Sequence, residues 1–268
     1  MPLEPNFLII IILVLSFIIL QLIVSIFLLY KMIKTKLYNL LPLILFFLIN
    51  SLLLLNLPYL FFHIIAHLPS ICIIIFTKYT FYRDRKSAFK IVLGIVIVLK
   101  IADFILKLYI PFSFPMRIEI RSTEIPYYYL YLSIMAGIIL LSYLWLGYAS
   151  LNTYKALKNQ SIEPWIKKRY QILGVSSVLL SLNGVIMLFM PWTRKGFEDP
   201  LAFTIGILIF TVTIIFSAGS VIGWMMPQKL KKYFNKNFQP IPEVDLSEKE
   251  LMEKIKKELS EGFDHGNN

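Results

Sequence analysis

Residues 7–36 read FLIIIILVLSFIILQLIVSIFLLYKMIKTK, and this stretch decides the class of the protein. Residues 7–30 carry no charge, and Lys31, Lys34 and Lys36 follow at once. An α-helix rises about 1.5 Å per residue, so about 20 apolar residues cross the hydrocarbon core of a bilayer. The stretch therefore predicts a membrane-spanning helix that ends in a basic loop at the membrane surface.

The rest of the chain repeats this pattern. The 268 residues are 57% hydrophobic and only 16% charged, and their mean hydropathy is +0.71, which is outside the range of soluble globular proteins. The predicted spans are residues 7–30, 39–62, 64–82, 88–110, 126–152, 170–190 and 200–226. We therefore expect an all-α membrane protein, a multi-pass seven-transmembrane-helix bundle of the cell membrane over residues 1–226, followed by a tail over residues 227–268.

Lysine and arginine are distributed unevenly over the predicted loops. The first, third and fifth loops and the start of the tail are rich in them, whereas the second loop has none and the fourth and sixth balance them with acidic residues. Positively charged loops stay in the cytoplasm, so we expect the N-terminus outside and the C-terminus inside. The net charge of +11 then favours anionic inner-leaflet headgroups, not nucleic acid. The residues expected to contact headgroups or a partner are Lys167, Lys168, Arg169, Lys229, Lys231 and Lys232.

The predicted fourth span is unusual because it contains several charges. Lys100, Asp103 and Lys107 are three and four residues apart, so they share one helix face and Asp103 can reach either lysine. A charge at the centre of a span costs about 2.5 to 3.5 kcal/mol on insertion scales, and such residues face the bundle interior. They are candidate ligand- or ion-binding residues. In the structural alternative, Lys107 extends to the outer interface and Lys100 only neutralises Asp103.

His63 and His67 are weak candidates for a metal site. They are four residues apart, so a helix would place both on one face. Two ligands do not make a site, and Cys72 is the only other ligand type nearby, so we expect no bound metal and no cofactor. The spans also lack the residues that a zinc hydrolase, a serine protease or a retinal protein would need. We therefore expect no enzymatic activity.

Small and hydroxyl residues recur in the last two predicted spans. They are Gly174, Ser177, Ser181 and Gly184 in the sixth span and Thr213, Ser217, Ser220 and Gly223 in the seventh. This spacing permits close helix contact and hydrogen bonds between helices. It favours a packing seam over a ligand pocket.

The tail contains a second kind of pattern. Ser247-Glu248-Lys249-Glu250 matches a capping box and predicts a short amphipathic cytoplasmic helix over about 247–260. Its apolar face contains Leu251, Met252, Ile255 and Leu259. Two interpretations stay open. The helix is either a solvated end, or it docks on a cytoplasmic protein partner or on the protein's own inner loops.

Three segments resemble those of a known group. They are Glu163-Pro164-Trp165 with 166–170, Gly196-Phe197-Glu198-Asp199-Pro200, and Gly223-Trp224-Met225-Met226-Pro227. They look like segments of uncharacterised archaeal seven-span proteins, whose layout is similar to the N-terminal seven-span sensor region of some histidine kinases. The resemblance implies a sensor-like bundle. The tail has no kinase motif, so phosphotransfer is not implied and no functional residue is transferred.

Three functions are open at this point. The preferred one is a non-enzymatic sensor or receptor-like module, in which a ligand shifts the bundle and the basic loops and tail report the shift inside the cell. The second is a small-solute or ion transporter that uses the intramembrane pair of Lys100 and Asp103. The third is a membrane scaffold without a ligand.

Overall fold

A computed structural model describes residues 5–53, 65–83, 86–109, 125–160, 162–192, 199–236 and 252–253. Over these residues the chain is helical and contains no strand, which confirms the all-α prediction. The elements are α1 (Pro5–Thr35), a 3-10 turn (Tyr38–Leu40), α2 (Leu41–Leu53), α3 (Leu68–Phe81), α4 (Phe89–Tyr109), α5 (Ile125–Leu157), α6 (Pro164–Leu188), α7 (Pro200–Met225) and α8 (Gln228–Phe234).

Four helices are long and apolar enough to cross a membrane. They are Ile11–Thr35 of α1 and the whole of α5, α6 and α7. The helices α2 and α3 are apolar but shorter, with 13 and 14 residues. The helix α4 has 21 residues, but three charges lie in its second half. These features are those of a multi-pass integral membrane protein.

Several helix bounds differ from the predicted spans. The helix α6 begins at Pro164 instead of residue 170, because proline is favoured at the first position of a helix, where its missing N–H is not needed. The basic residues 167–169 therefore lie within the helix and not in a loop. The helix α5 extends to Leu157, beyond the predicted 152. Residues 54–62 of the predicted second span lie outside the described residues, and α3 begins at Leu68 instead of 64.

The helices pack in the order of the chain. Each helix from α1 to α6 contacts the next one, α7 contacts α1, and α3 also contacts α5. A hydrogen bond of 2.7 Å, from Gln21 Nε2 to Ser217 Oγ, joins the two ends of this ring. The Lys31 ammonium also donates to the carbonyl of Trp224 in the last turn of α7. The packing is therefore a closed ring with an interior.

An aromatic cluster fills the middle of this interior. The ring centroid of Phe46 in α2 lies 5.0 Å from that of Phe47, 6.0 Å from that of Tyr143 in α5 and 6.0 Å from that of Phe216 in α7. All three contacts are edge-to-face, a geometry worth about 0.5–1.5 kcal/mol beyond burial. The cluster connects helices that are distant in sequence.

The seam between α5, α6 and α7 is the tightest contact described. A Cβ added at Gly184 would lie 2.7 Å from the Ala136 carbonyl oxygen, and one at Gly219 would lie 2.6 Å from Ser176 Oγ. Asn183 Nδ2 donates to Thr213 Oγ1 at 3.1 Å and to the Ile209 carbonyl at 3.2 Å. The small and hydroxyl residues of the last two predicted spans thus bring the backbones together, as expected for a packing seam.

Candidate functional site

The charged residues of α4 lie on the face that points into the bundle. Lys100 is 7% exposed, Asp103 1% and Lys107 6%. Ile91, Val98, Ile105 and other apolar residues on the opposite face are exposed. The three charges therefore share one inward face, as their spacing predicts.

The ion pair in this cluster joins Asp103 to Lys107. Lys107 Nζ donates to Asp103 Oδ2 at 2.9 Å, an i,i+4 contact. An acidic residue four positions before a basic one is the favourable order on a helix, which explains the choice of partner. Lys100 has no carboxylate within 4.0 Å in the described structure. In place of the Lys100–Asp103 pair, the structure has the pair Asp103–Lys107, and the Lys107 side chain is buried.

Two neighbouring elements complete the cluster. His67, just before α3, has its Nδ1 atom 3.7 Å from Asp103 Oδ2, and its ring lies edge-on to that of Phe104, with centroids 6.1 Å apart. Lys107 Nζ lies 5.2 Å from the ring centroid of Tyr131 in α5, within the range of a cation–π contact. The site is therefore built by the turn before α3, the second half of α4 and the start of α5.

The structure gives His67 a neighbour that sequence reasoning missed. We paired it with His63 as a possible metal ligand, but His63 lies outside the described residues. Among the residues with described positions, no group of three His, Cys, Asp or Glu side chains could hold a metal ion. The approach of His67 to Asp103 depends on how α3 packs against α4, and no local sequence signal reports that.

The cluster is unbalanced in charge and in hydrogen bonds. Among the residues with described positions, the ammonium groups of Lys100 and Lys107 lie near one carboxylate, that of Asp103. Lys100 Nζ donates to the Ala66 carbonyl oxygen at 3.4 Å, and Asp103 Oδ1 is buried without a hydrogen-bond partner in the described structure. Buried charges are costly unless they are paired and hydrogen-bonded. The arrangement can therefore accept a negative group at Lys100 and a donor at Asp103 Oδ1.

A second buried cation lies near the start of α6. Arg169 is 1% exposed, and its guanidinium carbon lies 4.9 Å from a ring centroid of Trp165 and 5.2 Å from one of Trp224. Met252 of the tail is seated on it, with its sulfur 3.9 Å from Arg169 Nη1 and 3.6 Å from the Tyr170 hydroxyl. Four residues hold Met252 or flank Arg169, and we call them the tail seat: Trp165, Arg169, Tyr170 and Trp224.

The structure separates Arg169 from the other basic residues that we expected to contact headgroups or a partner. We expected it to contact lipid headgroups, but it is buried between the two indoles, because α6 begins at Pro164 and turns this position inward. Lys229 and Lys232 are exposed, so a headgroup contact is open to them. Lys167 donates to the carbonyls of Lys158 and Gln160 after α5, at 3.0 and 2.6 Å.

Lys168 and Lys231 have polar or aromatic neighbours of their own. Lys168 Nζ donates to Gln171 Oε1 at 2.8 Å, and Lys231 Nζ lies 4.1 Å from the ring centroid of Trp165. Of the tail helix predicted over 247–260, the structure describes Met252 and Glu253, which are helical. The rest of that helix lies outside the described residues.

The resemblance noted in the sequence involves segments at the start of α6, at the start of α7 and at the end of α7. Residues 163–170 and 223–227 belong to the described structure and contribute to the tail seat, whereas 196–198 lie outside it. Comparison of the chain with protein-family models, curated proteins and solved structures finds no match, so the resemblance to archaeal seven-span proteins and kinase sensor regions stays a prediction.

Proposed function

We propose that this protein is a non-enzymatic sensor or receptor-like module of the membrane. In this proposal the chain forms a seven-span bundle with its N-terminus outside and its C-terminus inside. A ligand binds at the charged cluster of Lys100, Asp103 and Lys107, and the cytoplasmic tail reports the resulting change in the bundle.

The observation that carries this proposal is the seating of Met252 on Arg169 and Tyr170. A reporter segment needs a physical contact whose strength differs between two states of the bundle. The tail seat offers such a contact, because Arg169 and Trp165 belong to α6 whereas Trp224 belongs to α7. A shift between these two helices would separate the rings that hold Arg169 and weaken the contact with Met252.

A route from the cluster to the tail seat runs through α5. Lys107 lies over the ring of Tyr131 in α5, and α5 packs closely on α6 at Gly184. Packed elements of this kind transmit small displacements because they are not easily compressed. Coupling between the cluster and the tail seat is measured with variants of the cluster.

A fluorescence experiment tests the coupling through variants of the cluster, with no ligand added. Glu253 is exposed next to Met252, and Cys72 is the single cysteine of the chain. A bimane label on Glu253→Cys, in a Cys72→Ser background, would be quenched by Trp165 or Trp224 while the tail is seated. The labelled full chain is then compared in nanodiscs with and without Lys100→Met or Asp103→Asn.

The sensor proposal predicts that a change in the cluster alters the quenching of the label. Lys90→Met is the matched control, because Lys90 is an exposed lysine near the other end of α4. Equal quenching in all four proteins would contradict the proposal.

Truncation after Gln239, which removes the label site and Met252, tests the same point in membranes by cross-linking. A cytoplasmic partner captured by the intact chain alone would identify what the tail reports to.

A transporter is the second candidate, and Asp103 is the observation that favours it. Its carboxylate is 1% exposed and has one oxygen without a described hydrogen-bond partner, a position that a transported proton or cation could use. In proteoliposomes with a pH-sensitive dye inside, this function predicts proton movement that Asp103→Asn abolishes. Such movement, with unchanged quenching of the tail label, would favour the transporter over the sensor.

A further inference from the structure

We infer that Lys100 is the centre of an intramembrane binding site for a small monovalent anion, such as a halide or a short-chain carboxylate. The site lies between α4 and the turn before α3. The inference rests on the proposed function, because it gives the ligand of the sensor a chemical class.

The depth of Lys100 in the helix is the first step. It is 11 residues from Phe89 and 9 residues from Tyr109, so it lies about 17 Å and about 14 Å from the two ends of α4. Lysines near the ends of spanning helices extend to the interface and place their ammonium group in water. Lys100 is near the middle and is only 7% exposed, so its charge has to be met inside the bundle.

The protein does not meet that charge with its own groups in the described structure. Asp103, the acidic residue of α4, is already held by Lys107 at 2.9 Å. The single hydrogen bond of Lys100 goes to the Ala66 carbonyl at 3.4 Å, which is longer than the usual range of about 2.7 to 3.2 Å. An ammonium group has three donors, so Lys100 has capacity for further acceptors.

The charge count indicates the class of the acceptor. With Lys100 and Lys107 both charged and Asp103 ionised, the cluster carries one positive charge in excess. A water molecule or another neutral acceptor would satisfy donors of Lys100 but would leave this charge buried. A monovalent anion would satisfy the donors and neutralise the cluster. The phosphate of a lipid headgroup is not a suitable source, because Lys100 is about 14 Å from the nearer end of the helix.

Three residues of known position lie around the proposed site. Phe104 and His67 lie edge-on to each other beside Asp103, and Ala66 approaches Lys100 from the turn before α3. A ligand at Lys100 would therefore lie between α4 and the turn before α3. Chloride and acetate are small representatives of the two kinds of monovalent anion and serve as probes.

Equilibrium binding tests the inference with these two probes. Radiolabelled chloride and acetate are titrated onto the purified full chain in nanodiscs, in a buffer of the membrane-impermeant anion gluconate. We expect saturable binding of at least one probe, and a loss of affinity of about tenfold or more in Lys100→Met, as for a charge-assisted hydrogen bond. Lys90→Met should bind like the unmodified chain. No saturable binding to the unmodified chain, or equal binding by Lys100→Met, would overturn the inference.

A second variant separates an electrostatic effect from a loss of structure. Asp103→Asn keeps the shape of the side chain but removes the negative charge of the cluster, so it should tighten anion binding. Tighter binding would support the anion site, because damage to the structure or loss of a cation site would weaken binding instead. Unchanged or weaker binding would contradict the anion site. If Lys100→Met does not reach the membrane, Asp103→Asn decides the question.

The tail label measured in the same samples distinguishes the two proposals. Anion binding without a change in tail quenching would keep the anion site and contradict the sensor. The opposite result is also possible: neither anion binds or changes the tail quenching, but mutation of the cluster does change it. That result would keep the sensor and contradict the anion class.

Discussion

The seam between α5, α6 and α7 and the charged cluster of α4 bury polar groups in different ways. In the seam the polar groups are neutral and bind one another, as Asn183 does with Thr213. In the cluster the polar groups are charged, and Lys100 has no carboxylate within 4.0 Å in the described structure. The seam is explained by packing alone. The cluster is not explained by packing alone, because a purely structural ion pair would need Asp103 and Lys107 but not Lys100.

The difference shows which buried polar residues are informative about function in a membrane protein. Neutral hydrogen bonds between spanning helices are common and are worth about 0.6 kcal/mol on average, so they need no ligand to account for them. An additional buried lysine is costly, and packing gains nothing from its charge. Substitutions in the cluster and in the seam should therefore differ in their effects on stability.

Loss of Lys107 should destabilise the protein more than any other change considered. Lys107→Met leaves Asp103 buried without its ion-pair partner, and breaking a buried pair in this way costs about 3–5 kcal/mol. The free energy of unfolding is measured by titration with dodecyl sulfate in mixed micelles. Addition of Asp103→Asn to Lys107→Met should restore most of the loss. A loss of less than about 1 kcal/mol in the single variant would mean that Lys100 takes over the pair with Asp103.

The seam should be intolerant of a single methyl group. In Gly184→Ala the new Cβ would meet the backbone oxygen of Ala136, which cannot move without separating α5 from α6, so we expect a loss of about 1–3 kcal/mol. Gly94→Ala is the control, since a Cβ at Gly94 meets nothing within 4 Å. The same unfolding titration applies. Equal stability of the two variants would mean that the seam is looser than described.

Beyond one end of the seam, near the start of α6, Arg169 carries a buried charge that aromatic rings stabilise. Arg169→Lys replaces a planar guanidinium between Trp165 and Trp224 with a compact ammonium that cannot stack on both, a loss of about 1–2 kcal/mol. We expect the tail to leave its seat and the bimane label at 253 to brighten. Lys168→Arg, one residue away, should leave the fluorescence unchanged. Brightening in both variants would mean that the tail responds to any exchange of a basic side chain in this part of α6, which would contradict a specific role for stacking at Arg169.

The neutral pair in the seam should contribute least. A double-mutant cycle of Asn183→Leu and Thr213→Val should give a coupling energy of about 0.6 kcal/mol, as for other hydrogen bonds between spanning helices. Unfolding of the two single variants and the double variant provides the measurement. A coupling energy as large as that of the Asp103–Lys107 pair would remove the distinction between the seam and the cluster.

The all-α class and the inward face of α4 could be predicted because both depend on local periodicity. Lys100, Asp103 and Lys107 share a face in any regular helix. The choice of Lys107 as the partner of Asp103 could not be fixed from spacing, since both lysines are within reach on a helix. It depends on side-chain rotamers and on Tyr131, which packs beside Lys107 from α5.

The tail seat and the approach of His67 to Asp103 could not be predicted for a different reason. Met252 and Arg169 are distant in sequence, as are His67 and Asp103, so their contacts follow from the packing of whole helices. Arg169 was also grouped with Lys167 and Lys168 because all three are basic. Its burial depends on the start of the helix at Pro164, which places Arg169 within α6 beside Trp165 and Trp224.

The hydrogen bond between Gln21 and Ser217 has a consequence for the order of assembly. It closes the ring across 196 positions of the chain, whereas α5 and α6 are joined by the short connection at residues 158–163. Contacts between close neighbours in sequence form early, because little chain entropy is lost in closing a short loop. The α5–α6 hairpin is therefore expected to form soon after its synthesis, while α1, the first of these helices to be made, finds its partner α7 last. Until α7 is made, the amide of Gln21 has to be tolerated by lipid or by a temporary partner.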